Sequence, residues 1–341
     1  MTMSQTLSQT FESPSQQAVV QNLLKRKAEM DSGDAISAGR RFGLVVEGGA
    51  MRGIISGGAL VAVSELGLLE GFDEVYGTSA GAINAAYALA GQSAYGLTIY
   101  YEDINNRRFI NLARLRRVVD LDYLFDEVLV RRKPLNVARV RASRPRLRIS
   151  VTDVETGEGR FFDNRTPDLN LLKALKAGAA MPVLDNRPVE IAGRRYFDGG
   201  IALSIPVEQA IADGCTDILV LLTRPVGYRK TPSRSVARWV ERRALRGFGR
   251  GFEEAYFNRH RTYNASLDVV FGRASPGRLV NIAVICPGPD DRMVGRITTD
   301  TARLKQVAID SIHRTARCLG FEARATEMVR RIDPDPKTAR A

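Results

Sequence analysis

Two hydrophobic rhythms alternate along the chain. Short, nearly unbroken apolar runs at Phe42-Gly43-Leu44-Val45-Val46, at 217–223 and at 279–287 lack the alternation of a half-exposed strand, and read as strands buried on both faces. Between them, 3.6-residue spacing predicts helices over 54–66, 82–90, 169–180, 207–212 and 301–319, the first closed by Gly67. Glu74-Val75-Tyr76 adds a short strand. Residues 146–152 and 160–162 around a Gly-containing turn predict a hairpin. A second, 188–191 with 195–197 around Gly193, runs into Asp198-Gly199-Gly200. Strands and helices taking turns in this way predict an α/β fold, a mainly parallel central sheet flanked by helices.

The ends and two internal stretches depart from that rhythm. Residues 1–40 are polar and rich in Ser and Gln, and read as a disordered N-terminal arm, with the spacing of a short basic amphipathic helix at 18–27. Residues 41–325 read as one α/β domain and 326–341 as a C-terminal tail. Inside the domain, about 95–140 and 224–260 read as helical, basic insertions. Helical spacing recurs at 97–101 and 109–115, among Arg107, Arg108, Arg114, Arg116, Arg117, Arg131, Arg132 and Lys133; this zone either faces lipid head groups or is a solvated helical insertion. In the second insertion, arginines surround Trp239, Val240 and Leu245, giving either a membrane-surface helix or a helix that packs Trp239 inward.

Composition changes this picture in one respect. The 341 residues are 44% hydrophobic, ample for a large core, but the net charge is +12 and comes mostly from arginine. Such a surface attracts phosphate, and peripheral contact with an anionic membrane is one expectation it raises. No zinc-finger or RNA-recognition pattern is present, so no specific nucleic-acid partner is expected. Cys215, Cys286 and Cys318 are odd in number and far apart, which suits neither a disulfide framework nor a zinc site. No apolar run reaches the ~18 residues of a membrane span, and Met1–Gln17 has no hydrophobic stretch. Arg40-Arg41 lies too far in, and its apolar run is too short, for a twin-arginine signal. The expected location is cytoplasmic.

The chemistry concentrates in three places. Gly77-Thr78-Ser79-Ala80-Gly81 lies between a strand and a helix of small residues, the context of a nucleophile elbow, where Gly77 and Gly81 permit a backbone reversal that lifts the Ser79 oxygen above the sheet. Gly48-Gly49-Ala50-Met51-Arg52-Gly53 links the first strand to a helix, so its N–H groups converge on an anion site. A dinucleotide fingerprint needs glycine where Ala50 stands, and a nucleotide P-loop needs Gly-Lys-Ser/Thr where two isoleucines follow Gly53. An oxyanion hole needs only backbone donors, and fits best. The only histidines, His260 and His313, sit in Arg-rich helical stretches rather than after a strand. The base for a Ser79 nucleophile is therefore expected to be a carboxylate, and Asp198, at a strand end before two glycines, is best placed.

Taken in order, Glu47–Gly53, Gly77–Gly81 and Asp198–Gly200 resemble the bacterial branch of the patatin-like phospholipase family. The resemblance extends to Leu222–Lys230 and Asn258–Asn264, and covers about residues 42–320. It implies a patatin-like three-layer architecture and a Ser–Asp dyad with Ser79 as nucleophile and Asp198 as general base. It further implies an oxyanion hole from the N–H groups of Gly48–Gly53 and a lipid ester substrate; with no Asp-x-Asp-x-Asp-Gly calcium loop in the sequence, neither metal nor cofactor is expected. Ala50 departs from the family's usual glycine, which is harmless only if that residue needs no positive φ. Two other readings share these motifs: an acyltransferase passing the same acyl group to an acceptor other than water, and a catalytically weak lipid- or phosphate-sensing module.

Overall fold

The computed structural model describes residues 13–34, 39–114, 117–275, 277 and 279–334. Among these residues eight strands form one sheet: β1 (Phe42–Val46), β2 (Glu74–Gly77), β3 (Arg146–Asp153), β4 (Gly159–Asp163), β5 (Val189–Ile191), β6 (Arg194–Asp198), β7 (Asp217–Leu221) and β8 (Asn281–Ile285). Their order is β5-β6-β3-β2-β1-β7-β8, with β4 paired to β3. Pairs among β3, β2, β1, β7 and β8 are parallel; those of β4, β5 and β6 are antiparallel. The helices are α1 (Pro14–Ser32), α2 (Ile54–Glu65), α3 (Ala80–Leu89), α4 (Ser93–Glu102), α5 (Val137–Ala142), α6 (Leu171–Ala179), α7 (Val207–Ala212), α8 (Ser235–Ala244), α9 (Arg250–Val270), α10 (Thr301–Cys318) and α11 (Ala325–Arg330).

The pleat sorts the strand side chains into two cores. Leu44, Val46, Val75, Leu219 and Leu221 join α2, α3, α4 and α10 on one face; Val45, Tyr76, Ile218 and Val220 join α7 and α9 on the other. Burial on both faces explains why these strands read as unbroken apolar runs. The result is the α/β fold expected, helices on both sides of a mainly parallel sheet.

The register places the end of β6. β3 pairs with β2 through 146–149 and with β6 through 151–153, while β4 spans 148–152. A strand has two edges, so β4 must hold one, and β2 and β6 share the other end to end. β2 stops at Gly77 opposite Ile149, and β6 ends with Asp198 opposite Val151. The last residue of β6 therefore lies just beyond the point where β2 turns into the Ser79 bend.

Several expectations change. Residues 14–32, read as part of a disordered arm, form α1, which buries Val19, Val20 and Leu23 against the domain. Arg26 grips Asp73 with two 2.7 Å hydrogen bonds and Asn22 reaches Asp217. The rest of the arm, residues 1–12 and 35–38, lies outside the described residues. The tail starts later than expected, because α11 and Ile332 are packed into the core; residues 335–341 lie outside the description. Phe109–Leu115 was expected to be helical. Instead it runs through turns, with Ile110 bridged to Val119 and Leu115 undescribed. A helix of π type, Tyr123–Arg132, follows.

Candidate active site

Ser79 sits in the bend between β2 and α3 with φ 55° and ψ −131°. A non-glycine residue persists at such a conformation, at a typical cost of about 1–3 kcal/mol, only where its surroundings impose it. Here they do. A Cβ at Gly77 would lie 2.4 Å from Ala82 Cα, and one at Gly81 would lie 2.4 Å from the Val46 carbonyl oxygen. The bend closes against α3 and the end of β1 only with glycine at both positions.

The Asp198 carboxyl is buried beside the Ser79 side chain, whose hydroxyl favours its ionised form. Its Oδ1 also accepts from Gly200 N–H at 2.7 Å. Its backbone is fixed on both sides: N–H to Ala180 O at 2.7 Å, and O from Thr152 Oγ1 at 2.9 Å. Gly199 is needed for close approach, since a Cβ there would lie 2.1 Å from Ser150 Oγ. Burial is the largest influence on the Asp198 carboxyl and pushes it up to about 6. The Ser79 hydroxyl, the Gly200 N–H and the positive charges of Arg296 and Lys230 pull the other way.

The Gly48–Gly53 loop faces Ser79: a Cβ on Gly48 would come within 2.7 Å of Ser79 Cβ. Ala50 adopts φ 52°, so the position does need the left-handed conformation that alanine disfavours. The loop's N–H groups divide. Met51 donates to Arg296 O at 3.2 Å and Arg52 to Gly49 O at 3.1 Å, while Gly53 is already within a helical turn. Gly48, Gly49 and Ala50 have no N–H acceptor among the described residues. Neither has Ala80, which the sequence reading passed over although the residue after an elbow nucleophile is a standard oxyanion donor.

Two buried charges brace the loop. The Glu47 carboxylate takes Thr223 N–H at 2.6 Å, Thr223 Oγ1 at 2.9 Å and Tyr263 OH at 3.0 Å, joining β1, β7 and α9 at the sheet's end. Arg52 is buried over Gly49 and donates to Thr223 Oγ1 at 3.1 Å; burial pushes its guanidinium down to about 10. Neither side-chain role was visible in the sequence, because both depend on Thr223 and Tyr263 arriving from far along the chain.

Ser79 and Asp198 open into a cavity of about 290 Å³. One part is apolar, formed by residues such as Ile83, Ile99, Phe109, Leu121, Leu124 and Val183; Arg52, Arg224, Lys230, Arg259 and Arg296 line another. The undecided 95–140 insertion thus supplies much of the apolar wall. Neither histidine lines the cavity; His260 bonds Phe257 O on its own helix. Trp239 does not pack inward, being 65% exposed on α8.

A strained serine between strand and helix, a buried carboxyl against it and N–H groups without acceptors beside it meet at one end of the sheet of an α/β fold. Residues 44–211 match the model of the patatin-like phospholipase family, a family of lipid hydrolases. A relative from Escherichia coli (strain K12), described as the uncharacterized protein YjjU, is 29% identical over 208 residues. That match takes in 59% of this chain and 57% of YjjU, so the chain spans little more than half of its relative's length. The crystal structure of VipD from Legionella pneumophila aligns over 86% of this chain and 67% of that one, with a TM-score of 0.41 and 13% identity. None of the described helices is long and apolar enough to cross a membrane.

Proposed function

We propose that the chain hydrolyses fatty-acyl esters of lipids through an acyl-enzyme on Ser79, with Asp198 as general base. The observation that carries this reading is the strained Ser79 beside the buried Asp198 carboxyl, both lining one cavity with an apolar wall. Asp198 accepts the Ser79 proton as Oγ bonds to the ester carbonyl carbon. The oxyanion lies against the free N–H groups of the 48–50 loop and Ala80. Collapse breaks the ester bond, and the departing alkoxide takes the proton from Asp198. Water then attacks the acyl carbon, its proton passing through Asp198 back to Ser79 as the fatty acid leaves. A carboxyl near 6 is ionised at neutral pH yet more basic than an ordinary aspartate, which suits this role.

Ser79→Ala and Asp198→Asn are each expected to lower fatty-acid release from a short-chain lipid ester by at least about 10³-fold while circular dichroism stays native. Near-normal turnover in either variant overturns the dyad. Labelling of Ser79 by a fluorophosphonate, absent in Ser79→Ala, separates an acyl-forming enzyme from a degenerate sensor, and product analysis with added alcohols separates hydrolysis from acyl transfer.

The same reading puts the mouth against an anionic membrane from the cytoplasmic side. Support comes from α8, where Trp239 and Val240 are 65% and 45% exposed among Arg238, Arg242 and Arg243, and where Glu241 of the same helix lines the cavity. Trp239→Ala is expected to weaken co-sedimentation with phosphatidylglycerol-containing vesicles several-fold; unchanged binding removes α8 from the contact.

A further inference from the structure

The charges around the cavity do not balance locally. Arg259 is paired with Glu241 at 2.7 Å, and Arg52 lies beside Glu47. At the wall near Val183, Asp185 is met by Arg187 and Arg117. That leaves Arg224, Lys230 and Arg296, none of which has a carboxylate ion-pair partner among the described residues. Among the described residues the one other acid lining the cavity is Asp198, which lies beside Ser79.

Two of these cations are held in place without being neutralised. The Arg224 guanidinium lies 4.2 Å from the Tyr228 ring, and Lys230 Nζ lies 5.2 Å from the Tyr263 ring. The Lys230 backbone is fixed on both sides by Asn264, at 2.9 and 3.0 Å. Arg296 lies on the segment whose carbonyl holds Met51 N–H, so it travels with the 48–53 loop. All three act on one neighbourhood: Arg224 and Arg296 repel the Arg52 charge, and Arg296 and Lys230 favour the ionised Asp198. Burial, then the adjacent Arg259 and Arg296, push the Lys230 ammonium down to about 7 against the pull of Glu47 and Asp198. Positive groups brought together at one wall, two half-buried against aromatic faces and the third, Arg296, exposed, are stabilised when an anion enters.

We propose that Arg224, Lys230 and Arg296 bind the phosphate of a phospholipid substrate, so that the ester lies at Ser79, the acyl chain in the apolar pocket and the phosphate at the polar wall. This deepens the hydrolase reading and rests on it for the placement of the ester. Two arginines, with a lysine that an entering anion holds protonated, against one carboxylate match a phosphomonoester, which carries about −1.5 to −2 at neutral pH, better than a neutral glyceride.

Two measurements test it. In calorimetry on the intact protein, glycerol 3-phosphate is expected to bind, glycerol not to, and Arg224→Ala, Arg296→Ala and Lys230→Met each to weaken binding at least about tenfold. Inorganic phosphate is the second probe; binding as tight as that of glycerol 3-phosphate assigns the wall to free phosphate and overturns the head-group assignment. Second, the wild type is expected to prefer dihexanoyl phosphatidic acid over dihexanoylglycerol. That preference should fall at least about tenfold in the same variants, through KM for the phosphate-bearing ester. An unchanged preference, or no calorimetric binding of glycerol 3-phosphate, refutes the site. A wild type that binds glycerol 3-phosphate but cleaves neither ester refutes the hydrolase reading and leaves the phosphate site standing.

Discussion

Between residues 107 and 133, and again between 224 and 246, the chain is dense in arginine, yet the two stretches treat their charge differently. In the first, Arg114 and Arg117 pair with Asp120, Arg117 also with Asp122, Arg131 with Glu127, Arg132 with Asp103, and Lys133 with Glu102 and Asp103. These pairs brace the polar outside of a segment whose inside is the apolar cavity wall. In the second, Arg229 pairs with Asp268, but Arg224, Arg234, Arg238, Arg242, Arg243 and Arg246 have no carboxylate partner among the described residues; Arg238 lies 4.8 Å from the Phe257 ring instead. Arginine density alone says nothing about ligand binding. What matters is whether the fold supplies the counter-charge itself.

Removing one carboxylate from each region gives the comparison its sharpest test, because the expected signs are opposite. Asp103 is buried and joined to Arg132 at 2.9 Å and to Lys133 at 3.5 Å. Asp103→Ala is expected to lower the urea-unfolding stability by about 3 kcal/mol, since it strands those charges. A loss near zero would mean the pairs are decorative.

Asp198→Asn should do the reverse. A carboxyl raised from 3.8 to about 6 withholds stability at neutral pH, because burial disfavours the charge it must carry. The substitution is therefore expected to stabilise the protein by about 3 kcal/mol at pH 7.5. The sign follows from the raised folded value: the Asp198 contribution to stability is most favourable below pH 4 and is lost as pH rises through about 6, so the variant's advantage should vanish on acidification. An advantage independent of pH would place its cause elsewhere.

Ala50→Gly probes strain at the same end of the cavity. At φ 52° alanine carries a left-handed penalty of about 1–2 kcal/mol, partly offset by glycine's greater freedom when unfolded. A net gain of about 0.5–1 kcal/mol in thermal unfolding is expected; a loss would show that the Ala50 methyl packs usefully. The smallest effect belongs to Arg238→Ala, expected to change stability by less than about 0.5 kcal/mol. A larger loss would show that the second stretch, like the first, is structural.

Much of the site was legible because it is local. Gly-x-Ser-x-Gly between strand and helix, the glycine loop after the first strand, and aspartate before two glycines are short patterns whose geometry neighbouring residues impose. Less local features escaped. The Ala80 N–H needed only the rule that the residue after the nucleophile donates, whereas the Glu47–Thr223–Tyr263 brace joins residues far apart in sequence. α1 looked like a solvated arm because it offers only a narrow apolar stripe, Val19, Val20 and Leu23, and burial of such a stripe depends on a receiving surface elsewhere.

The order of residues alone determined the strand and helix rhythm, the α/β class and the position of the serine bend, since steric periodicity and glycine's freedom act over a few residues. Tertiary structure alone decided that Asp198 arrives on the same edge of β3 as the Ser79 strand, that Ala50 is left-handed, and which arginines stay uncompensated. Those outcomes depend on burial and on charges brought close through space, and electrostatic energy follows distance and solvent exposure rather than separation along the chain.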